Sequence, residues 1–395
     1  MRILISCFAL SVCVQLSAQL ENGFNKEEVR EMIAICNSFS FIELYNSDEA
    51  ILPKGYEKIY TSGVFGMDNK YQIYKKGDLA VISFRGSTSR KLSLLENANS
   101  AMVPAQGVIR ISGEDFFYCF AQDTAAAVHS GYALGMAYLS KDLLYHINVL
   151  NNQGIYNIII TGHSQGGAIA NMLRAYLENL SHYEISKKNI FKTYAFAAPM
   201  VGNKNFIAEY NACYCTNNSS FNIIIPSDPV PDMPFSYNEN NYLGKNLNTL
   251  FFNNDSFSTR RMMTDIFFNT YKERLTRGVK RMSNTISNNI SKDLGTVQMP
   301  GYDQDINYYR IGNKIEIGPV TYPKMLKDSL ILQNDSLMAI YKIGPDGYFL
   351  NKELYKKEPW AYQHQPYNYY VSILKTYFPY QYALLKKKYL PENLK

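Results

Sequence analysis

The sequence lacks several features that would assign it at once to a broad class of proteins. After the first residues, no stretch reaches the roughly 18 consecutive apolar residues that a membrane-crossing helix needs. Charged residues amount to only 19% and form no long run of one sign, so the net charge of +6 is too diffuse to predict nucleic-acid binding, although it does not oppose contact with anionic lipid. An internal repeat is also absent. The composition therefore gives no support for a membrane-spanning, nucleic-acid-binding or repeat protein.

Cysteine and histidine are scarce, with 6 and 5 residues respectively. Two cysteines fall within the first 18 residues, which leaves Cys36, Cys119, Cys213 and Cys215. In an oxidising compartment these four can pair in three ways, and the sequence does not choose among them. Because no histidine stands at ligand spacing from them, we expect no metal site.

A short apolar segment at the start has the pattern of an export signal. Arg2 is followed by the mostly apolar residues 3–16 and then by the small residues Ser17 and Ala18. This pattern predicts a secretory signal peptide that is cleaved after Ala18, and hence an extracellular or periplasmic protein. The 395 residues have room for one large α/β domain with insertions or for two modest domains, and the 46% of hydrophobic residues is enough for a sizeable core. We predict the first arrangement, a single domain over residues 19–395.

The most informative stretch is residues 158–170. Three isoleucines predict a buried strand that ends in Gly162-His163-Ser164-Gln165-Gly166, and a helix-forming segment follows directly. A serine between two glycines at a sharp strand-to-helix turn is typical of a nucleophile elbow, which exposes the hydroxyl group. The alternative is a glycine-rich turn whose serine only caps the helix, but this does not explain the glycines on both sides. Ser164 is therefore the candidate nucleophile.

A second loop supplies candidate donors for an oxyanion. Leu79–Phe84 reads as a strand buried on both faces, and it runs into Arg85-Gly86-Ser87. A serine hydrolase needs two backbone N–H groups here, one from the residue after the nucleophile and one from an earlier loop. We assign these to Gln165 and Ser87. The alternative is an ordinary turn in which Arg85 forms a structural ion pair.

The segment Arg90–Gln106 follows the Ser87 loop directly. Apolar residues are scattered among its polar ones, namely Leu92, Leu94, Leu95, Met102 and Val103. A segment of this composition at this place can act as a lid over an apolar site. An ordinary surface loop that covers no site explains this composition equally well.

A serine nucleophile needs a base, normally histidine, which a carboxylate orients. With a nucleophile elbow the chain order is serine, acid, histidine, and of the five histidines only His364 lies late enough. Those rejected are His129 and His146, which precede the elbow, His163, which is expected to point away from Ser164, and His182, which follows too soon. Asp228 follows the predicted strand Phe221–Ile225 and is the candidate acid, with Asp232 as its rival.

Strands alternate with helices through the middle of the chain, which predicts a mostly parallel sheet flanked by helices. A long helical insertion, at about residues 237–359, precedes His364. Within it, Arg260–Met282 has the pattern of a basic amphipathic helix, either with a solvated face or facing lipid. Tyr308–Ile317 has the pattern of a hairpin around Gly312-Asn313.

The chain resembles the class 3 lipase family, the fungal-type lipases of α/β-hydrolase fold. The stretches that carry the resemblance are Val81-Ile82-Ser83-Phe84-Arg85-Gly86-Ser87, His129-Ser130-Gly131-Tyr132, Ile160–Ala168, Ala198-Pro199-Met200-Val201-Gly202-Asn203 and Asp228-Pro229-Val230-Pro231. It covers roughly Tyr56–Pro234, and then His364. It implies an α/β fold with Ser164 as nucleophile, Asp228 as acid, His364 as base, and Ser87 with Gln165 as oxyanion donors.

The resemblance implies a lipase that hydrolyses acylglycerols without a cofactor, and the predicted signal peptide implies that it is secreted. Its expected partner is a lipid or ester substrate, and transient contact with lipid interfaces is compatible with this prediction. The alternatives are a phospholipase A1, an esterase for soluble or plant-derived esters, and a non-catalytic lipid- or surface-binding protein of the same fold. The long insertion departs from the family pattern and leaves the substrate open. The sequence does not indicate the oligomeric state.

Overall fold

A mostly parallel, seven-stranded sheet forms the centre of the fold in the computed structural model, which describes residues 20–41, 52–236, 258–333 and 340–394. In chain order the strands are β1 (Glu57–Thr61), β2 (Tyr71–Lys76), β3 (Leu79–Phe84), β4 (Met102–Pro104), β5 (Gln106–Ile111), β6 (Glu114–Cys119), β7 (Ala127–His129), β8 (Asn157–His163), β9 (Ile190–Phe196), β10 (Ser220–Ile224), β11 (Val297–Gln298) and β12 (Lys314–Glu316). The helices are α1 (Lys26–Phe41), α2 (Lys91–Ala98), α3 (Ser130–Asn152), α4 (Gln165–Asn179), α5 (Lys204–Tyr210), α6 (Ser258–Leu294), α7 (Pro366–Tyr377) and α8 (Pro379–Leu384). The predicted signal peptide and residues 237–257 of the predicted insertion lie outside the described residues.

The central sheet has the strand order β1-β2-β3-β8-β9-β10-β12, with parallel pairing from β3 onward. The β3–β8 pairing is in register from Leu79 with Asn157 to Phe84 with Gly162. Because the carboxyl ends of parallel strands meet at one edge, the loop after β3 and the turn after β8 lie side by side. All of β8 is buried, which explains its run of isoleucines. The predicted α/β-hydrolase fold class is confirmed.

Helices cover both faces of this sheet. The apolar side chains of α3 and α4 belong to the core on one face, and those of α1 and α7 to the core on the other. Asn37 on α1 is fully buried and donates from Nδ2 to the carbonyl oxygen of Pro366 at 3.1 Å. This bond joins the first helix to the start of α7, two residues after His364.

The predicted insertion contributes to the core of the domain. Helix α6 runs to Leu294, twelve residues beyond the predicted end, and its buried side includes Val279, Ile286 and Ile290. Because this apolar side contacts protein, the exposed residues Arg274, Arg277 and Arg281 lie on a solvated face, one of the two predicted alternatives, while the side chains of residues 258–271 lie outside the described part of the chain. Among the described helices, none is long and apolar enough to cross a membrane.

The predicted hairpin at Tyr308–Ile317 is wrong. Asn313 does have the left-handed backbone of a tight turn, with φ of 48°. The residues on either side of it do not pair with each other, however. Tyr309 bridges to Gly202, and β12 pairs in parallel with β10 as the last strand of the central sheet.

The segment Arg90–Gln106 is not a surface loop. Its first half is α2, and its second half contains β4, which pairs with β7. Met102 and Val103 are fully buried, so the lid prediction is wrong for these residues. Only Leu94 has a largely exposed side chain, 54% accessible, while Leu92 and Leu95 pack against the core.

The four cysteines that the sequence left unassigned are free thiols. Cys36 and Cys215 are buried, Cys119 is half-buried and Cys213 is exposed. Burial raises the pKa of the Cys36 thiol to about 12, which makes it unreactive at neutral pH.

Candidate active site

Ser164 stands at the tight turn between β8 and α4. Its backbone has φ of 58° and ψ of −127°, a strained conformation for a residue with a side chain. Glycine is required on both sides, because a Cβ at Gly162 would lie 2.2 Å from the carbonyl oxygen of Gly166, and one at Gly166 would lie 2.4 Å from that of Phe84. The turn therefore has the geometry of a nucleophile elbow, with the serine at the N-terminus of a helix.

The structure brings the three predicted triad residues together. His364 Nε2 lies 2.8 Å from Ser164 Oγ, and His364 Nδ1 lies 2.9 Å from Asp228 Oδ2. Asp228 is 2% exposed and Ser164 is 8% exposed. The serine and the histidine are 200 residues apart in the sequence. The arrangement allows the imidazole to take a proton from the serine while the carboxylate stabilises the resulting imidazolium.

Asp228 is fixed by two further hydrogen bonds. Its Oδ1 accepts from the backbone N–H of Val230 at 3.0 Å, and its Oδ2 accepts from the hydroxyl group of Tyr369 at 2.8 Å. The rival acid, Asp232, forms an ion pair with Arg310 instead. Of the two candidates, only Asp228 is bonded to the histidine.

Tyr369 was not among the predicted site residues. It is fully buried on α7, five residues after the histidine, and its hydroxyl group also accepts from the backbone N–H of Ile225 at 3.1 Å. One hydroxyl group thus joins the end of β10 to the carboxylate that follows it. A tyrosine in the helix after the histidine is the only signal in the sequence, and it is a weak one.

We expect Tyr369→Phe to lower kcat/KM about tenfold, because the carboxylate loses a charge-assisted hydrogen bond of roughly 1.5 kcal/mol and becomes less well oriented. The matched control is Tyr367→Phe on the same helix, which removes a hydroxyl group that donates to the carbonyl oxygen of Lys387. Steady-state kinetics on a soluble ester should separate the two variants. An equal loss in both would show that the effect is one of stability.

The other four histidines lie outside the triad, and His163 is not oriented as predicted. His163 does not point away from the site, since its ring centre lies 4.9 Å from that of His364. Burial and the nearby His364 lower the pKa of His163 well below 6.5, so its ring is neutral. His129 is fully buried, His146 lies beside Asp142, and His182 is exposed.

The fully buried His129 predicts a pH-dependent stability. Burial lowers its pKa from 6.5 to about 3, so the unfolded chain binds a proton below pH 6.5 that the folded protein does not bind until about pH 3. Stability from this residue is therefore full above pH 6.5 and falls as the pH decreases, by up to roughly 1.4 kcal/mol per pH unit. In urea unfolding between about pH 7 and about pH 4, His129→Asn should show a smaller slope than the unmodified protein. Identical slopes in the two proteins would show that His129 does not cause this pH dependence of stability.

Of the two candidate oxyanion residues, Gln165 follows Ser164 within the elbow, and Ser87 lies in the loop beside it. A Cβ at Gly86 would lie 2.9 Å from the carbonyl oxygen of His163, so the loop after β3 touches the elbow directly. Ser87 is exposed, and its Oγ accepts a hydrogen bond from Asn97 Nδ2 at 2.9 Å. Arg85 forms an ion pair with Asp68 at 3.1 Å, as the structural alternative expected. This ion pair steadies the loop, so the two interpretations are compatible.

Ser164 and His364 face a cleft of about 340 Å³. Most of its lining comes from the two loops already described and from the start of α7: Cys36, Arg85, Gly86, Ser87, Thr88, His163, Ser164, His364, Gln365 and Pro366. A carbonyl group in this cleft can reach the serine hydroxyl group and the free N–H groups at the start of α4 together.

Comparison with protein families identifies the central part of the chain. Residues 81–238 match the family model described as "Lipase (class 3)". This range contains the Ser87 loop, the elbow and Asp228, and it ends before His364. No curated protein shows significant similarity to the chain.

Several solved structures of fungal lipases are similar to part of the chain. A lipase from Rhizopus microsporus var. chinensis is 20% identical, with 54% of this chain and 71% of that one covered and a TM-score of 0.38. Lipase II from Rhizopus niveus is 17% identical, with coverages of 53% and 74% and a TM-score of 0.39. The triacylglyceride lipase of Rhizomucor miehei is 17% identical, with coverages of 54% and 77% and a TM-score of 0.39.

Proposed function

Since the chain belongs to the class 3 lipase family through residues 81–238, and is thus a carboxylic ester hydrolase, we propose that it hydrolyses acylglycerols through a Ser164–His364–Asp228 triad and an acyl-enzyme intermediate. The observation that carries the proposal is the continuous hydrogen-bond chain from Ser164 Oγ through both ring nitrogens of His364 to Asp228. Its members come from three separate parts of the chain.

The reaction follows from this geometry. Ser164 Oγ attacks the ester carbonyl carbon while His364 Nε2 takes the hydroxyl proton, and Asp228 stabilises the imidazolium. The negative oxygen of the tetrahedral intermediate accepts from the N–H groups of Ser87 and Gln165. When the bond to the leaving alcohol breaks, His364 returns its proton to that alcohol. Water then attacks the acyl-enzyme with His364 as base, which releases the acid and restores Ser164.

The proposed substrate class is supported by the family match more than by the side chains that line the cleft. Acylglycerols are the substrate class that the name of the family implies. The polar side chains of Arg85, Thr88 and Gln365 in the cleft lining favour the second candidate, a phospholipase A1 or an esterase for soluble esters. Export through a signal peptide in residues 1–18 is part of the proposal, and it is supported by the pattern of those residues alone.

A phosphonate probe that reacts with activated serines tests the proposal. We expect covalent labelling of Ser164, located by peptide mass spectrometry, and loss of all esterase activity on labelling. A panel from short soluble esters through phosphatidylcholine to emulsified triacylglycerol then identifies the substrate class. An unlabelled Ser164 in the folded protein would favour the non-catalytic, lipid-binding alternative.

A further inference from the structure

Helix α2 is joined to the elbow by a buried polar cluster around Glu96. The Glu96 side chain is fully buried, and its Oε2 accepts from Asn69 Nδ2 at 2.8 Å and from Gln165 Nε2 at 2.5 Å. Gly135 on α3 leaves the space for this carboxyl group, since a Cβ there would lie 2.2 Å from Glu96 Oε1. The cluster thus connects α2, the elbow and the loop between β1 and β2.

Burial favours the neutral form of Glu96 in this cluster. Burial raises its pKa well above 4.5, and the hydrogen bonds from Asn69 and Gln165 counteract this only in part. Its Oε1 has no hydrogen-bond partner among the residues that the structure describes. The carboxyl group therefore makes both of its side-chain hydrogen bonds through Oε2, as an acceptor from two amide groups.

The other end of the Gln165 side chain is held by the same helix. Gln165 Oε1 accepts from Ser93 Oγ at 3.0 Å and from Asn97 Nδ2 at 3.2 Å. Asn97 Nδ2 also donates to Ser87 Oγ at 2.9 Å. Ser87 and Gln165, which supply the oxyanion N–H groups in the proposed function, are therefore both bonded to α2. Gln165 is held through both ends of its side-chain amide.

We propose that Glu96 is a positioning residue, which clamps α2 onto Gln165 and so holds the N–H groups of Ser87 and Gln165 in place before an ester binds. This inference rests on the proposed function. It makes α2 a fixed support behind the Ser87 loop and the elbow instead of a lid. If α2 moved away, the Gln165 and Asn69 amide groups would lose every hydrogen bond of this cluster except the one of 3.3 Å between them, at a buried place. Contact with lipid offers little in return, since Leu94 is the only largely exposed leucine of the helix.

Two variants test the clamp. Glu96→Gln keeps a neutral group of the same shape with an acceptor oxygen. Glu96→Leu removes the acceptor, which leaves Asn69 Nδ2 unpaired and Gln165 Nε2 with only its longer bond, of 3.3 Å, to Asn69 Oδ1. On a short soluble ester we expect Glu96→Leu to lower kcat roughly 10- to 100-fold with little change in KM, because misplaced oxyanion donors weaken the transition state more than the bound substrate. Glu96→Gln should stay within about threefold of the unmodified enzyme.

Hydrogen exchange measures the clamp without depending on activity. The backbone amides of residues 94–98 and 165–168 should exchange at least about tenfold faster in Glu96→Leu and at nearly the unmodified rate in Glu96→Gln. Unchanged exchange in a folded Glu96→Leu protein overturns the clamp, even if no ester is found that the protein hydrolyses. An unreactive Ser164 in the unmodified protein overturns only the proposed function.

The unmodified enzyme supplies a further test, which can still be carried out if Glu96→Leu does not fold. With α2 fixed, the rate on a partly soluble ester should follow one saturation curve through the solubility limit. A jump in rate at that limit would show that α2 opens at an interface, and the clamp would be rejected. Asn69→Ser, which weakens one side of the cluster, should then lower kcat in the same direction and by a smaller factor than the loss of Glu96.

Discussion

Ser164→Ala is expected to lower kcat/KM for ester hydrolysis by about 10⁴- to 10⁶-fold, the largest effect of any single change in this protein. The reason is that the substitution removes the only atom that forms the covalent bond to the acyl group, whereas the oxyanion donors and the cleft remain. Alanine has the same backbone requirements as serine at φ of 58°, so the elbow should keep its shape. Kinetics on a short soluble ester measure the loss, and thermal unfolding checks the fold.

A variant that keeps most of its activity would show that Ser164 is not the nucleophile, because no other group of the cleft is bonded to His364 Nε2. Loss of activity together with a much lower Tm would leave the loss attributable to unfolding. The phosphonate probe separates these outcomes, since folded Ser164→Ala protein should not be labelled at the elbow.

The second large effect is expected at the base. His364→Ala should lose activity about as completely as Ser164→Ala, since an unactivated serine hydroxyl group is a poor nucleophile at neutral pH. Because the two residues act as a unit, the double variant should be no worse than either single variant. The losses of transition-state stabilisation in the two single variants should therefore not be additive.

His182→Ala is the matched control for the loss of an imidazole, since His182 is exposed and hydrogen-bonds to no triad residue. Its kcat/KM should equal that of the unmodified enzyme. If His364→Ala were active, the base would have to come from an earlier part of the chain, and the order serine, acid, histidine would not apply. His163, whose ring lies 4.9 Å from that of His364, would be the first residue to examine.

The central part of the site could be predicted because its constraints are local. The turn at Ser164 brings backbone atoms so close that only glycine fits at 162 and 166, and this requirement is visible in five consecutive residues. His364 could be predicted for a different reason, the small number of histidines. Had several followed Asp228, the sequence would not have distinguished among them.

The parts that could not be predicted depend on contacts between distant segments. Nothing near Tyr369 or Glu96 in the sequence indicates that one will bond to Asp228 and the other to Gln165. The mixture of apolar and polar residues in Arg90–Gln106 is the same whether lipid or protein covers its apolar side chains, so the sequence does not distinguish a lid from a packed segment. At Gly312-Asn313 the local turn signal was correct, but the following strand pairs with β10, which only the complete sheet determines.

The distance of 200 residues between Ser164 and His364 along the chain has a consequence for synthesis. The segment around Ser164 leaves the ribosome long before His364 is made, and its strand β8 can pair on both sides once β3 and β9 are present. His364 can join it only when α7, which is bonded to α1 through Asn37 and Pro366, is also present. A growing chain therefore contains the candidate nucleophile long before it contains the candidate base. The onset of ester hydrolysis during cell-free translation would report the moment at which the two ends of the domain meet.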